Sequence, residues 1–260
     1  MHSEQRPNSS SMSPRKLLLF VPTYNESNNV KSILDQILAL NIDADILFVD
    51  DNSPDGTGKL LDELAKNHAR LIVQHRPKKL GIGSAHRDGI QWAYANSYDK
   101  IITLDCDATH PPEYIPDFIN ASANYDIVVG SRHIQDSSLA DWSLKRKFLT
   151  KLGHFLTFYC LSIPYDATGA FRIYNLKAIP ESFLQKVRSQ GYSFFFESLF
   201  VLHRNRFRIG EVAIHLPSRI NDQSKMRYKD IYDSLYLLVT LLIEKIFNPS
   251  KFVIEKSHES

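Results

Sequence analysis

Two aspartates flank a cysteine in "LDCDATHPP", Leu104 to Pro112, directly after the apolar run "KIIT". Alternate carboxylates where a strand turns can hold a hard divalent cation, which prefers oxygen ligands. Such a cation can bridge two phosphates of a nucleotide and neutralise a departing diphosphate. The same triplet also has a structural reading, in which Asp105 closes the strand and Asp107 caps the segment opened by Pro111 and Pro112. Nothing inside the stretch chooses between them.

A second acidic pair, Asp50 and Asp51, ends the run "ADILFVD" and enters "NSPDGT". Turn chemistry accounts for Asp55 and Gly56. It accounts poorly for two adjacent acids at a strand's carboxyl edge, which suit hydrogen bonds to a base or ribose. The sequence contains no G-x-x-x-x-G-K-[ST], and its first apolar run leads into "PTYNE" rather than a glycine-rich turn. The close pair Gly81 and Gly83 has His86 where a dinucleotide fingerprint needs its third glycine, and reads as a flexible loop over a ligand.

These residues need a scaffold. Apolar runs alternate with helical periods from "KLLLFV", through a helix with Val30, Ile33, Leu34, Ile37 and Leu38 on one face, to "DIVVGS". That β-α-β rhythm predicts strands joined by crossover helices in a mostly parallel α/β sheet with helices on both faces. In such sheets ligands gather beyond the carboxyl ends of the strands. Those ends are "PTYNE", "DDNSPDGT", "HRPKKLGIG", "DCDATH" and "GSRH", so the chemistry-bearing residues share one edge. Further on, the pattern predicts a helix in "WSLKRKFLTKLGHFLTFYCLS", a strand in "GAFRIY", a helix in "GYSFFFESLFVLHRN", a strand in "IGEVAIHLP" and an apolar helix in "DIYDSLYLLVTLLIEKIF".

With 260 residues and 43% hydrophobic content, the chain can bury one sizeable core. A formal charge of +2 gives no basic field, so no nucleic-acid partner is expected. Two cysteines, Cys106 and Cys160, make no disulfide framework and fit a reducing, cytoplasmic setting. The Ser-rich residues 1–14 read as a disordered tail, 15–228 as the catalytic domain, 229–247 as a helix for a membrane interface or a docking partner, and 248–260 as a second tail.

Taken in order, "VPTYNE", "VDDNSPDGT", "KKLGIGSA", "LDCDATHPP", "VVGSRH", "WSLKR", "DATGAFRIY", "GYSFFFE", "GEVAI" and "RINDQSK" resemble the family-2 glycosyltransferases of the GT-A fold, and among them the dolichyl-phosphate mannose synthases. The resemblance covers residues 16 to 225. It implies a GDP-mannose donor, a dolichyl or polyprenyl phosphate acceptor, and Mg²⁺ or Mn²⁺ as cofactor. It implies that Pro22, Tyr24, Glu26, Val49 and Asp51 form the guanosine pocket, with Cys106 beside it. It implies that Asp105 and Asp107 hold the metal, Arg219 and Lys225 the donor phosphates, and Arg132 either phosphate. Thr109 stands where some relatives carry a glutamine ligand.

A phosphate monoester has its second pKa near 6, so the acceptor oxygen is largely anionic at neutral pH and needs no general base. Catalysis would then rest on positioning and charge, with Asp107 and Arg132 as the catalytic residues and Arg132 and Arg146 gripping the acceptor phosphate. His110, beside the acidic motif, reads as a supporting residue. A lipid acceptor demands contact with a bilayer, expected on its cytoplasmic side, yet the uncharged run Ser234 to Ile243 is far short of the ~18 to 20 residues of a span. Ile231, Leu235, Leu238 and Leu242, widened by Leu237, Val239, Leu241 and Ile243, could lie in the interface, dock on a small integral membrane subunit, or pack in the core. Competing readings are a transferase moving glucose from UDP-glucose, one with a hydroxyl acceptor, and a nucleotide-sugar binding protein without turnover.

Overall fold

The computed structural model describes residues 17–107, 109–135, 138, 142, 144–216 and 227–254, with Lys145 and Arg146 described as helical backbone only. The expected tail 1–14 and the donor-phosphate candidates Arg219 and Lys225 lie outside the described residues.

Seven strands form one sheet: β1 (Leu17–Thr23), β2 (Asp45–Asp50), β3 (Leu71–His75), β4 (Lys100–Thr103), β5 (Ile127–Ser131), β6 (Arg172–Asn175) and β7 (Ile209–Ala213), in the order β3-β2-β1-β4-β6-β5-β7. All pairings are parallel except those of β6, which runs antiparallel to β4 and β5. Every residue of β1 is buried because the sheet is covered on both sides. Leu18 and Phe20 face one core, while Leu17, Leu19 and Val21 face the other, which is the period of two that the pleat imposes.

The helices are α1 (Val30–Ala39), α2 (Thr57–Ala65), α3 (Ile82–Ala95), α4 (Ile115–Ala121), α5 (Leu144–Leu161), α6 (Phe194–Arg204) and α7 (Tyr228–Phe247). In α1 the buried residues are Val30, Ile33, Leu34 and Ile37, the stripe that its sequence spacing demands. In α3, Gly89 is fixed by packing: a Cβ there would come within 2.4 Å of the Phe20 ring. Helix α6 is buried at every position from Phe194 to Leu202 and fills one core.

The last helix packs into the fold. Leu238 and Leu241 of α7 join the core beneath α6. Residues 249–254, expected as tail, continue the fold: Phe252 meets the Phe200 ring at 4.9 Å, and the Asn205 amide donates to its carbonyl and accepts from Ile254 N. Apolar residues spaced inside a charged segment carried too weak a period to be read.

His86 of α3 is fully buried against Phe20, Phe194 and Phe195 with both ring nitrogens unpartnered, and burial pushes its pKa down to about 3. A depressed folded-state pKa gives stability that is present above the unfolded value near 6.5 and lost as pH falls towards the folded one. His86→Leu is therefore expected to remove about 2 kcal/mol of the stability difference between pH 7 and pH 4.5. Thermal unfolding across that range checks it; an unchanged slope would refute it.

Candidate active site at the carboxyl edge of the sheet

The strand order brings the chemical loops side by side. Thr23 pairs with Asp50 across β1 and β2, and Leu104 N donates to Phe20 O across β1 and the end of β4. Between β1 and β4 the strand order reverses direction, which is where α/β folds open a ligand crevice. Because β6 is antiparallel, the segment before it, "DATGA", also reaches this edge.

The first two loops are laced together. Asn25 N donates to Ser53 Oγ (2.9 Å), Glu26 N to Thr57 Oγ1 (2.9 Å) and Ser27 N to Asp55 Oδ2 (3.1 Å). Asn25 and Asn52 both take left-handed backbone, φ 56° each, which asparagine tolerates better than most residues. Burial alone would raise the Asp55 carboxyl, but donors from Thr57 and Ser27 hold it at about 2. Asp50 accepts from Ser53 N at 3.0 Å and from the Ser53 and Thr23 hydroxyls, so turn chemistry accounts for it after all.

Asp51 is likewise engaged within the protein. Its Oδ1 meets Arg76 Nη1 at 2.5 Å, with both side chains 7% exposed, and Arg76 also donates to Ser84 Oγ. Burial raises the Asp51 carboxyl despite Arg76. Tyr24 lies under Lys79, whose Nζ is 3.9 Å from the ring centroid, and Glu26 accepts from Asn29 Nδ2 at 2.6 Å. The side chains of Pro22, Val49 and Cys106 are buried, Val49 and Cys106 in opposite cores.

At the end of β4, Asp107 Oδ1 accepts from Thr109 N at 3.2 Å and from the Thr109 hydroxyl. Thr109 thus serves the loop by orienting that carboxylate. His110 is buried, tilted against Phe171 at 5.2 Å, and its Nδ1 accepts the Asp105 N–H at 2.8 Å. Asp105 keeps 28% of its side chain exposed. No group of three or more His, Cys, Asp or Glu among the described residues is placed to hold a metal. Two carboxylates nevertheless suit Mg²⁺ or Mn²⁺, since Mg²⁺ is usually held by one or two carboxylates plus substrate phosphates and water.

Arg132, beyond β5, forms a fork on Asp166: Nε donates to Oδ2 at 2.7 Å and Nη2 to Oδ1 at 2.6 Å, while its backbone N–H also reaches Oδ2. Burial alone would raise the Asp166 carboxyl, but Arg132 holds it well below the usual carboxylate range. The site candidates thus fall into an acidic strand end and a basic anchor on one edge. Arg146 takes a place in the first turns of α5. Sequence reasoning missed Arg76 and Asp166, although Arg76 lies in the strand-end motif "HRPKKLGIG" and Asp166 opens "DATGAFRIY". Two residues that pair across 25 and 34 positions carry no local signal.

Residues 19–183 match the model of the family described as Glycosyl transferase family 2. The chain belongs to that family. Family-2 relatives along most of its length include the polyprenol monophosphomannose synthase of Mycolicibacterium smegmatis, 32% identical over 225 residues, covering 85% of each chain. The undecaprenyl-phosphate mannosyltransferase of Micrococcus luteus is 32% identical over 212 residues, covering 81% of this chain and 87% of its own. Among solved structures, the mannosyl-3-phosphoglycerate synthase of Rubrobacter xylanophilus superposes with a TM-score of 0.58 at 16% identity, over 94% of this chain and 78% of its own. The mannosyltransferase PcManGT of Pyrobaculum calidifontis, solved with GDP-Man and Mn²⁺, gives 0.54 at 16% identity, over 91% and 65%. These neighbours share the GT-A fold, and this family-2 protein is a glycosyltransferase.

Proposed function

We propose that the protein transfers mannose from GDP-mannose to a dolichyl or other polyprenyl phosphate with inversion, giving a β-mannosyl phosphoryl-polyprenol. The observation that carries this reading is the near full-length similarity to two proteins named for mannosyl transfer to polyprenol carriers. The site supports it chemically. Tyr24, Glu26 and the Asp51 loop follow β1 and β2 at this edge and would bind the guanosine, and Asp105 and Asp107, after β4, would hold Mg²⁺ or Mn²⁺. That ion supplies charge neutralisation of the leaving diphosphate.

Arg132 anchors the acceptor phosphate, and no side chain has to take a proton because the attacking oxygen is already anionic. Direct attack from the face opposite the departing diphosphate inverts the anomeric centre.

Purified protein incubated with Mn²⁺, polyprenyl phosphate and either labelled GDP-mannose or labelled UDP-glucose tests the reading. Label in the extracted lipid is expected from GDP-mannose, with a β-anomeric signal in the product. Label from UDP-glucose alone, or none even with membranes added, would overturn it.

The acceptor also places the enzyme at a bilayer, on its cytoplasmic side. No helix among the described residues is long and apolar enough to cross one. Two packed helices instead expose apolar stripes: Leu144, Phe148, Leu152, Phe155 and Tyr159 on α5, and Tyr232, Tyr236, Val239, Ile243 and Phe247 on α7. Leu238 and Leu241 face the core while Leu235, Val239 and Ile243 face outward, so the single stripe read from sequence is two. Helices of this kind bury such a face at the headgroup boundary, where tyrosines are favoured. Replacing Phe148, Phe155, Tyr232 and Val239 together by serine is expected to cut co-sedimentation with anionic vesicles about tenfold while leaving GDP-mannose binding intact. Unchanged sedimentation would refute this docking mode, and loss of a dimer on sizing instead would make the face a subunit contact.

A further inference from the structure

Asp166 is approached by a second side chain. His133 brings its Nε2 to 3.8 Å from Oδ2, outside hydrogen-bonding range. Its ring lies on that of His154 in α5, with centroids 4.1 Å apart and 23° between planes. His133 Nε2 and His154 Nδ1 are both covered and lack a hydrogen-bond partner. Near-parallel stacked rings cannot aim both lone pairs at one ion, which rules out a shared metal.

A difficulty arises if Arg132 grips the acceptor phosphate, a step that rests on the function proposed above. Its Nε and Nη2 are already committed to Asp166, which is 1% exposed. Turning the fork to phosphate would strand a buried carboxylate, an expensive state. We propose that His133 is a positioning residue that takes over Asp166 through Nε2–H as Arg132 passes its hydrogen bonds to the acceptor phosphate, while His154 holds the ring by stacking.

Charge balance fits the exchange. Burial outweighs the attraction of Asp166, and with His154, Arg132 and Lys151 it lowers the His133 pKa to about 4, so the ring is neutral while Arg132 occupies Asp166. When the guanidinium turns away, a cation leaves and the carboxylate is exposed to the ring, and both changes favour uptake of one solvent proton. The groups facing the ring are therefore Asp166, Arg132, His154 and Lys151, with Glu211 one step further, accepting the Asp166 N–H at 2.9 Å.

Histidine-ring NMR on the full-length protein tests this. The His133 pKa is expected to rise by about one unit or more on saturation with citronellyl phosphate, a soluble short prenyl phosphate, and to rise similarly in Arg132→Met. A ring that stays neutral in both cases overturns the proposal. If citronellyl phosphate moves no resonance, the acceptor reading fails and the Arg132 variant alone decides the exchange. Should Arg132→Met not fold, Arg132→Gln, which also removes the cation, supplies the same comparison.

Kinetics give an independent readout. His133→Phe keeps the stack but loses the donor, and should raise the acceptor KM about tenfold with the donor KM unchanged, while His133→Gln restores it. Donor and acceptor KM rising together, or Gln behaving like Phe, would indicate a merely structural residue.

Discussion

Asp107→Asn is expected to lower sugar transfer by on the order of 10²–10³-fold with the fold intact. The amide is nearly isosteric, and its oxygen can still accept from Thr109 N and the Thr109 hydroxyl, so the loop after β4 keeps its shape. What disappears is the one negative charge that, on the proposed reading, would face the divalent ion and so help neutralise the leaving diphosphate. Transfer rates in excess Mn²⁺, alongside thermal unfolding, check this. Thr109→Val serves as the comparison, because it removes an orienting hydroxyl and leaves the charge; a loss of less than about tenfold is expected. If Asp107→Asn transferred at the wild-type rate, the carboxylate would be a turn cap and the metal assignment would fall.

The second large effect is structural. Arg76→Met should destabilise the protein by about 3–5 kcal/mol at pH 8, because it leaves Asp51, 5% exposed, as an unpaired buried charge. The sign with pH follows from the raised Asp51 carboxyl. An acid whose folded pKa exceeds its unfolded value is stabilising below the unfolded value and loses that contribution as pH rises through the folded one. The variant should therefore recover part of its deficit as pH is lowered to about 5, where Asp51 can be protonated. Adding Asp51→Asn to Arg76→Met should recover stability at pH 8 without recovering donor affinity. Thermal unfolding of the single and double variants at both pH values decides it. A single variant as stable as wild type at pH 8 would show that the pair is not buried in solution.

Much of the architecture was legible because its causes are local. Strands with unbroken apolar runs, such as β1 and β2, announce a sheet covered on both faces, and the spacing of Val30, Ile33, Leu34 and Ile37 announces the helix between them. The direction of β6 was not legible, since "GAFRIY" reads the same in either sense. Nor were the two faces of α7, because nearly every third or fourth residue is apolar and only its packing on α5 and on the core that Phe194 to Leu202 fill selects Leu238 and Leu241.

The same division holds at the site. Sequence alone determined that carboxylates, arginines and turn residues end the strands of one parallel sheet and so must share an edge, because every crossover returns the chain in the same direction. Only the tertiary structure decided who holds whom. Asp50 belongs to its turn, Asp51 to Arg76, Thr109 to Asp107 and Asp166 to Arg132. A buried charge must find a partner wherever the fold brings one within reach, and for Arg76 and Arg132 that reach spans strands rather than neighbouring residues.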